Sequence, residues 1–236
     1  MSNAPLKLQI LISGTGSNAL SIIRATQSGH LQSLAIVEQV IANTTTAKGL
    51  QLAAEHSIDT HCVAHAQFES KAEFEQALLQ QINAKPCDLL VLAGFMRVLS
   101  ADFIDNFNCK IINIHPSLLP KFKGLNTHQR VLDAAQTQHG ISVHLVIADL
   151  DAGPILGQAK LEVYPHDTVQ SLQQRIQVME HWLYPYCIKL IASGEIHLKP
   201  NTLAQNQAVP FHAHTGVTLW TEQDILAAQG LTGAAH

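Results

Sequence analysis

The stretch LKLQILISGTGSNALSII, residues 6–23, decides the fold class of this chain. Residues 6–12 have the apolar character of a strand, Ser13–Asn18 is a glycine-containing turn, and apolar residues resume at Leu20 with helical spacing. A strand, a glycine turn and a helix in immediate succession are typical of the first unit of a parallel α/β sheet.

The pattern continues beyond this unit. Apolar runs at 34–42, 88–93 and 110–114 alternate with helix-like stretches at 47–55 and 68–82. Strands that alternate with helices form parallel crossover units, because the helix carries the chain back over the sheet. We therefore predict an α/β fold with a Rossmann-like, mostly parallel sheet and helices on both of its faces.

The last third of the sequence changes character. Residues 140–147 and 154–163 read as two further strands, antiparallel to each other, that extend the sheet. A long amphipathic helix follows to Gly194, and Pro185 should kink it or divide it in two. Residues 200–236 have no clear period, which predicts a C-terminal extension of unknown role.

Composition narrows the functional class. The 236 residues are 47% hydrophobic and 14% charged, with a formal net charge of -4 and no Lys/Arg run, which argues against nucleic acid as a partner. No apolar stretch reaches the roughly 20 residues that cross a bilayer, and the N-terminus lacks a basic segment followed by an apolar one. The four cysteines are spread without a CxxC motif. We expect reduced thiols, no membrane and a cytoplasmic location.

The glycine turn is a candidate phosphate site. Gly14 and Gly16 permit close approach to the backbone amides, and the positive end of the next helix favours an anion. Ser17 and Asn18 add polar contacts. Because Ala19 stands where GxGxxG would have its third glycine, a monophosphate suits the turn better than a dinucleotide. A tight turn without a ligand is the alternative.

A second candidate site is the sequence NIHPSLLP, residues 113–120. It follows a predicted core strand, so Asn113 and His115, two residues apart, should project together into the crevice where such sheets bind ligands. A side-chain amide and an imidazole can stabilise the oxyanion that forms when a nucleophile adds to a carbonyl. The alternative is a histidine that only satisfies hydrogen bonds at the strand end. Leu119–Pro120 is a candidate cis peptide.

An acidic turn, residues 149–154, joins the two late strands. Turns favour Asp and Gly for conformational reasons, so these residues could form a turn without any functional role. The functional reading requires the fold to bring Asp151 near His115. A carboxylate there would favour the imidazolium and could orient a water that relays protons.

Five motifs in one order closely resemble the phosphoribosylglycinamide formyltransferase family of folate-dependent enzymes in purine biosynthesis. They are LISGTGSN (11–18), LAGFMR (92–97), NIHPSLLP (113–120), SVH (142–144) and LDAGP (150–154). The resemblance covers about residues 6–198. It implies the formyltransferase fold, with residues 1–199 as a single formyltransferase domain.

The resemblance also implies an activity and its partners. Members of this family transfer the formyl group of 10-formyltetrahydrofolate to the primary amine of glycinamide ribonucleotide. It implies these two small molecules as substrate and co-substrate, with no metal and no redox cofactor. A homodimer is compatible with the sequence.

The resemblance also implies which residues bind the ribonucleotide. By resemblance, Gly16, Ser17 and Asn18 hold the ribonucleotide phosphate, while Gln177 and Glu180 help to hold phosphate and ribose. The spacing of the last two residues puts them on one helical face.

The remaining positions concern folate and catalysis. The resemblance gives Asn113, His115 and Asp151 the catalytic roles, and it implies that folate is bound by Phe95, Met96, Arg97, Val98, Leu99, Asp149 and Asp151. Of the 14 histidines, we predict that His144 and His128 support the site and that eleven others, His139 among them, lie on surfaces or cap elements. Asn126 and Ala152 depart from the family pattern, which commonly has histidine and glycine there.

Other classes remain as alternatives. Methionyl-tRNA formyltransferase and formyltetrahydrofolate hydrolase share an Asn-x-His and a later Asp. The phosphate turn at Gly14–Asn18 argues against the first, and we expect neither the basic C-terminal domain of the first nor the N-terminal regulatory domain of the second. A non-catalytic nucleotide-binding module would need the glycine turn without the three catalytic positions. A metal hydrolase is disfavoured, since no HExxH occurs.

Overall fold

The computed structural model describes residues 4–198 and 219–229. In this part of the chain, eight strands form one sheet: β1 (Leu6–Ile12), β2 (Ala35–Ala42), β3 (Thr60–Cys62), β4 (Leu89–Leu92), β5 (Lys110–His115), β6 (Gln138–Leu145), β7 (Ile155–Glu162) and β8 (Leu219–Thr221). The helices are α1 (Ser17–Ser28), α2 (Gly49–Glu55), α3 (Lys71–Asn83), α4 (Ala101–Asn106), α5 (Thr127–Asp133), α6 (Val169–Ala192) and α7 (Glu222–Ala228).

The sheet has the order β3-β2-β1-β4-β5-β6-β7-β8. Strands β1 to β5 pair in parallel, while β6 is antiparallel to both β5 and β7. The mostly parallel sheet with late antiparallel strands is therefore confirmed. The strand order reverses between β1 and β4, so a crevice opens at their carboxyl ends.

Two apolar cores lie on opposite faces of the sheet, because successive residues of a strand point to opposite sides. Ile10 and Ile12 of β1 belong to the first core, which contains Leu183 of α6. Leu11 belongs to the second core, which contains Phe74 of α3. Helices thus cover both faces, as the alternating pattern predicted.

Helix α6 is not divided at Pro185; division was one of the two outcomes predicted for it, and the other outcome, a kink, stays a prediction. It runs as one 24-residue helix with Pro185 inside it. Proline removes one backbone hydrogen bond, but the side chains beside it, Leu183, Tyr184 and Cys187, are fully buried against the sheet and offset that loss. The Tyr184 hydroxyl also lies 3.0 Å from the carbonyl oxygen of Leu92, at the end of β4.

The C-terminal segment, residues 219–229, adds two elements that the sequence did not predict. Strand β8 pairs in parallel with β7, and α7 begins with a capping box between Thr221 and Asp224. A strand of three residues and a helix of seven show only a weak period, and β3, α4 and α5, which are similarly short, were not predicted either. Residues 200–218 and 230–236 of the predicted extension lie outside the described residues.

Candidate active site

Three side chains predicted for catalysis meet at the carboxyl end of β5. Asn113 and His115 come from β5, and Asp151 comes from the loop between β6 and β7. The Nδ1 atom of His115 lies 3.5 Å from Oδ2 of Asp151. His115 and Asp151 are 6% and 9% exposed, so water screens the interaction between the two side chains only weakly. The geometric condition set by the sequence is met.

His144 completes this cluster from β6. Its Nε2 atom lies 3.3 Å from Nδ2 of Asn113 and 3.7 Å from Oδ1 of Asp151. Burial lowers the pKa of His144, an effect that the Leu145 carbonyl and Asp151 partly oppose. The Leu145 carbonyl lies 2.9 Å from Nδ1, so the neutral ring donates there and accepts from Asn113 at Nε2. This contact fixes which end of the Asn113 amide carries the donors.

The loop after β5, residues 116–124, positions both charged groups. Its Phe122 carbonyl lies 2.9 Å from Nε2 of His115, and its Gly124 N–H donates to Oδ2 of Asp151 at 2.9 Å. Both ring nitrogens of His115 therefore face acceptors, an arrangement that an imidazolium satisfies. Asp151 adopts φ 46, in the left-handed region, so its backbone conformation also helps to direct the carboxylate.

The same loop is tied to the sheet. The Ser142 hydroxyl donates to the Ser117 carbonyl at 2.7 Å and accepts from the Leu119 N–H at 3.0 Å, and Gln158 donates to the Leu119 carbonyl at 3.0 Å. The Leu119–Pro120 peptide is cis, as predicted. The two groups that orient His115 and Asp151 are thus fixed before any ligand arrives.

His128 lies one step away from the catalytic cluster. Its Nδ1 atom is 2.9 Å from Nε2 of His139, and no contact with Asn113, His115 or Asp151 appears among the described hydrogen bonds. The surface position predicted for His139 is wrong, since this residue is only 1% exposed. It lies on β6, an interior strand whose two faces are both covered. Burial, with repulsion from His128 and His115, lowers the pKa of His139 to about 4.

The predicted phosphate turn lies at the start of α1. Gly16 has φ 75, and a Cβ there would approach Cα of Gly49 to 2.5 Å, so glycine is required for two independent reasons. Helix α1 starts at Ser17 with no acidic residue in its first turn. The helix itself therefore supplies no carboxylate that would compete with an anion for its first backbone amides.

Helix α6 reaches this turn with two side chains. Gln177 Nε2 donates to Ser17 Oγ at 3.0 Å, and Asn18 Nδ2 donates to Glu180 Oε2 at 2.9 Å. The structure therefore brings together the residues predicted for phosphate and ribose. Burial raises the pKa of Glu180 to about 7, although the Asn18 hydrogen bond opposes the shift.

The shifted pKa of Glu180 makes stability depend on pH. Its folded-state pKa of about 7 lies above the ordinary value of 4.5, so ionisation costs more in the folded protein. As pH rises from about 4.5 to about 7, the free energy of unfolding of the wild type should fall by about 1–3 kcal/mol relative to that of Glu180→Gln. Urea unfolding at both ends of the window measures the difference. Glu69→Gln, at an exposed position, is the control. If wild type and Glu180→Gln differ by the same free energy of unfolding at both pH values, the prediction is wrong.

The segment predicted for folate is anchored at its ends and open in the middle. Phe95 and Leu99 are buried in the second core, whereas Met96, Arg97 and Val98 are exposed. The Met96 N–H donates to Ser13 Oγ at 2.7 Å, which links this segment to the phosphate turn.

The loop that carries Asp149 borders the site at Asp151. Asp149 is exposed, and so are its apolar neighbours Ile147 (40%) and Leu150 (52%). The loop after β4 exposes Met96 (68%) and Val98 (59%) in the same way. Exposed apolar groups on two loops beside a polar crevice are typical of a ligand site.

Two properties of the described ranges concern metals and membranes. Within residues 4–198 and 219–229, no group of three or more His, Cys, Asp or Glu side chains has an arrangement that could hold a metal ion. No helix in these ranges is both long and apolar enough to span a bilayer.

Comparison with known proteins gives one consistent family. The formyl transferase family model matches residues 6–188. Phosphoribosylglycinamide formyltransferase of Escherichia coli strain K12 is 38% identical over 196 residues, which cover 83% of this chain and 92% of that protein. The trifunctional purine biosynthetic protein adenosine-3 of Bos taurus is 41% identical over 195 residues, 83% of this chain but 19% of that protein. This chain thus spans about a fifth of the bovine relative.

Solved structures agree with the sequence comparisons. The phosphoribosylglycinamide formyltransferase of Coxiella burnetii, in complex with CHES, is 44% identical with a TM-score of 0.78, covering 84% of this chain and 92% of that one. Glycinamide ribonucleotide transformylase 1 of Symbiobacterium toebii is 35% identical with a TM-score of 0.79 over the same shares.

Proposed function

Because this chain belongs to the formyl transferase family, and within it to the phosphoribosylglycinamide formyltransferases, we propose that it formylates glycinamide ribonucleotide in purine biosynthesis. The formyl donor and co-substrate is 10-formyltetrahydrofolate. The observation that carries this proposal is the meeting of Asn113, His115 and Asp151 in one crevice with the phosphate turn at Gly16–Asn18. Both substrates can then be held in line, which supplies much of the acceleration.

The first chemical step is addition. The neutral amine of the ribonucleotide attacks the formyl carbon, and the carbonyl electron pair moves to oxygen. Asn113 donates one amide hydrogen to His144 and has a second for this oxyanion. Nδ1 of His115 is 3.5 Å from Asp151, longer than a direct hydrogen bond, so in a protonated ring this N–H can donate to an oxyanion beside it while the carboxylate stabilises its charge.

The second step is elimination. A proton must leave the attacking nitrogen, and another must reach the folate nitrogen as its bond to the formyl carbon breaks. The Gly124 N–H donates to Oδ2 of Asp151, so Oδ1 can accept from a water and orient it between the two nitrogens. The products are formylglycinamide ribonucleotide and tetrahydrofolate.

A direct assay tests the function and separates the alternatives. Purified chain is given 10-formyltetrahydrofolate with glycinamide ribonucleotide, with methionyl-tRNA or with no acceptor, and folate release is followed by absorbance. We expect turnover with the ribonucleotide. Turnover only with the tRNA, formate release without an acceptor, or ribonucleotide binding without turnover would each contradict the proposal. These outcomes would identify the tRNA enzyme, the folate hydrolase and the non-catalytic module, respectively.

Location and assembly are further parts of the proposal. All four cysteines are free thiols, which supports the predicted cytoplasmic location. The homodimer stays a prediction, and light scattering on the purified chain would measure it.

A further inference from the structure

The C-terminal segment contacts α6 first at Arg175. Both oxygens of Glu222 accept from this guanidinium, at 3.1 and 2.8 Å, and Asp167 and the Glu162 carbonyl accept from it at 3.0 and 2.9 Å. The guanidinium also stacks over the Tyr164 ring, 4.5 Å from its centre. A bidentate, half-buried guanidinium of this kind is held in one orientation.

The second contact is aromatic and lies two turns further along α6. The Trp220 ring of β8 packs edge-on against Trp182 at 5.6 Å and Tyr186 at 5.4 Å between ring centres. Gly157 of β7 leaves space for it, since a Cβ there would lie 3.2 Å from the Trp220 ring. Ile225 of α7 is fully buried in the first core. The segment is therefore packed against the domain.

The two contacts lie on one side of α6, and the predicted ribonucleotide contacts lie on the other. Arg175 and Trp182 are seven residues apart, about two turns, and so share a face. Gln177 and Glu180 fall between them in sequence and point away from that face, toward Ser17 and Asn18 of α1. Contacts at Arg175 and Trp182 therefore help to fix the position of Gln177 and Glu180 relative to the phosphate turn.

We propose that the C-terminal segment is a positioning device for ribonucleotide binding, in which Glu222 and Trp220 hold α6 so that Gln177 and Glu180 stay aligned with α1. This inference rests on the proposed function, because it concerns the same ribonucleotide site. It assigns a role to residues beyond the family match, which ends at 188. Glu222 and Trp220 contact α6 at Arg175, Trp182 and Tyr186. The predicted folate contacts and oxyanion donors belong to other elements, namely β5 and the loops that follow β4 and β6.

The test compares Glu222→Gln and Trp220→Leu with the exposed Gln223→Ala in the full-length chain. The first two should raise the KM for glycinamide ribonucleotide, and its Kd measured calorimetrically without folate, by about tenfold. Their kcat and their KM for 10-formyltetrahydrofolate should stay within about twofold. Glu222→Asp keeps the carboxylate and should recover most of the affinity lost in Glu222→Gln.

Tryptophan emission checks the packing independently of activity. The chain has two tryptophans, Trp182 and Trp220, and both belong to this contact. Release of the segment in Glu222→Gln should shift their emission to the red, and Gln223→Ala should not. Red-shifted emission with an unchanged ribonucleotide Kd would overturn the positioning role, as would a loss of kcat equal to the loss of affinity. Ribonucleotide binding without turnover in the wild type would count against the proposed function alone.

Discussion

Replacement of His115 with alanine should lower kcat for formyl transfer by about 10³-fold and leave both KM values within about threefold. In the proposed mechanism the His115 ring is one of two donors to the oxyanion, which exists in the transition state and not in the bound substrates. Loss of such a donor therefore appears in kcat. The variant should stay folded, since the ring contacts only the Phe122 carbonyl and Asp151 among the described polar groups.

Single-turnover kinetics with saturating substrates would measure this effect, with circular dichroism to check the fold. His197→Ala, an exposed histidine, is the matched control and should keep wild-type kinetics. Formyl transfer near the wild-type rate in a folded His115→Ala variant would remove His115 from the mechanism.

Replacement of Gly153 with alanine should destabilise the protein by about 3 kcal/mol or more. A Cβ at Gly153 would overlap the carbonyl oxygen of Leu145, where the hairpin between β6 and β7 starts. Leu145 also donates its N–H to the Pro154 carbonyl, so neither backbone can move aside without breaking a pair. Asp151 is two residues away and would leave His115, so activity should fall as well.

Urea denaturation gives the free energy of unfolding for this variant. The control is Ala152→Ser, an exposed position in the same turn, which should change stability by less than about 0.5 kcal/mol. Equal unfolding midpoints for Gly153→Ala and Ala152→Ser would show that the hairpin tolerates a side chain at Gly153.

Much of the fold and the site could be predicted because long elements and strand ends leave strong patterns. The turn at Gly16 and the pair Asn113 and His115 belong to such elements. The approach of Asp151 to His115 could be stated only as a condition, since it depends on the register of β5 with β6 and on a turn with a left-handed residue. Those features follow from contacts between residues far apart in sequence.

Tertiary burial explains two outcomes that local sequence could not determine. The prediction for His139 is wrong because an interior strand buries both of its faces regardless of residue type. Pro185 does not divide α6, because tertiary burial outweighs the local preference. The C-terminal segment escaped prediction because its stability comes from Arg175 and Trp182, which belong to another part of the chain.

The loop at residues 116–124 has a consequence for how this sequence can vary. One end of it is fixed by His115 itself, and Phe122 and Gly124 must reach the imidazole and the carboxylate at the same time. Side chains in the loop can be exchanged while those backbone groups keep their places. An insertion or deletion cannot be accommodated in this way, because it would move the carbonyl and the N–H together. Homologous sequences should therefore differ here in residue type and keep the same number of residues.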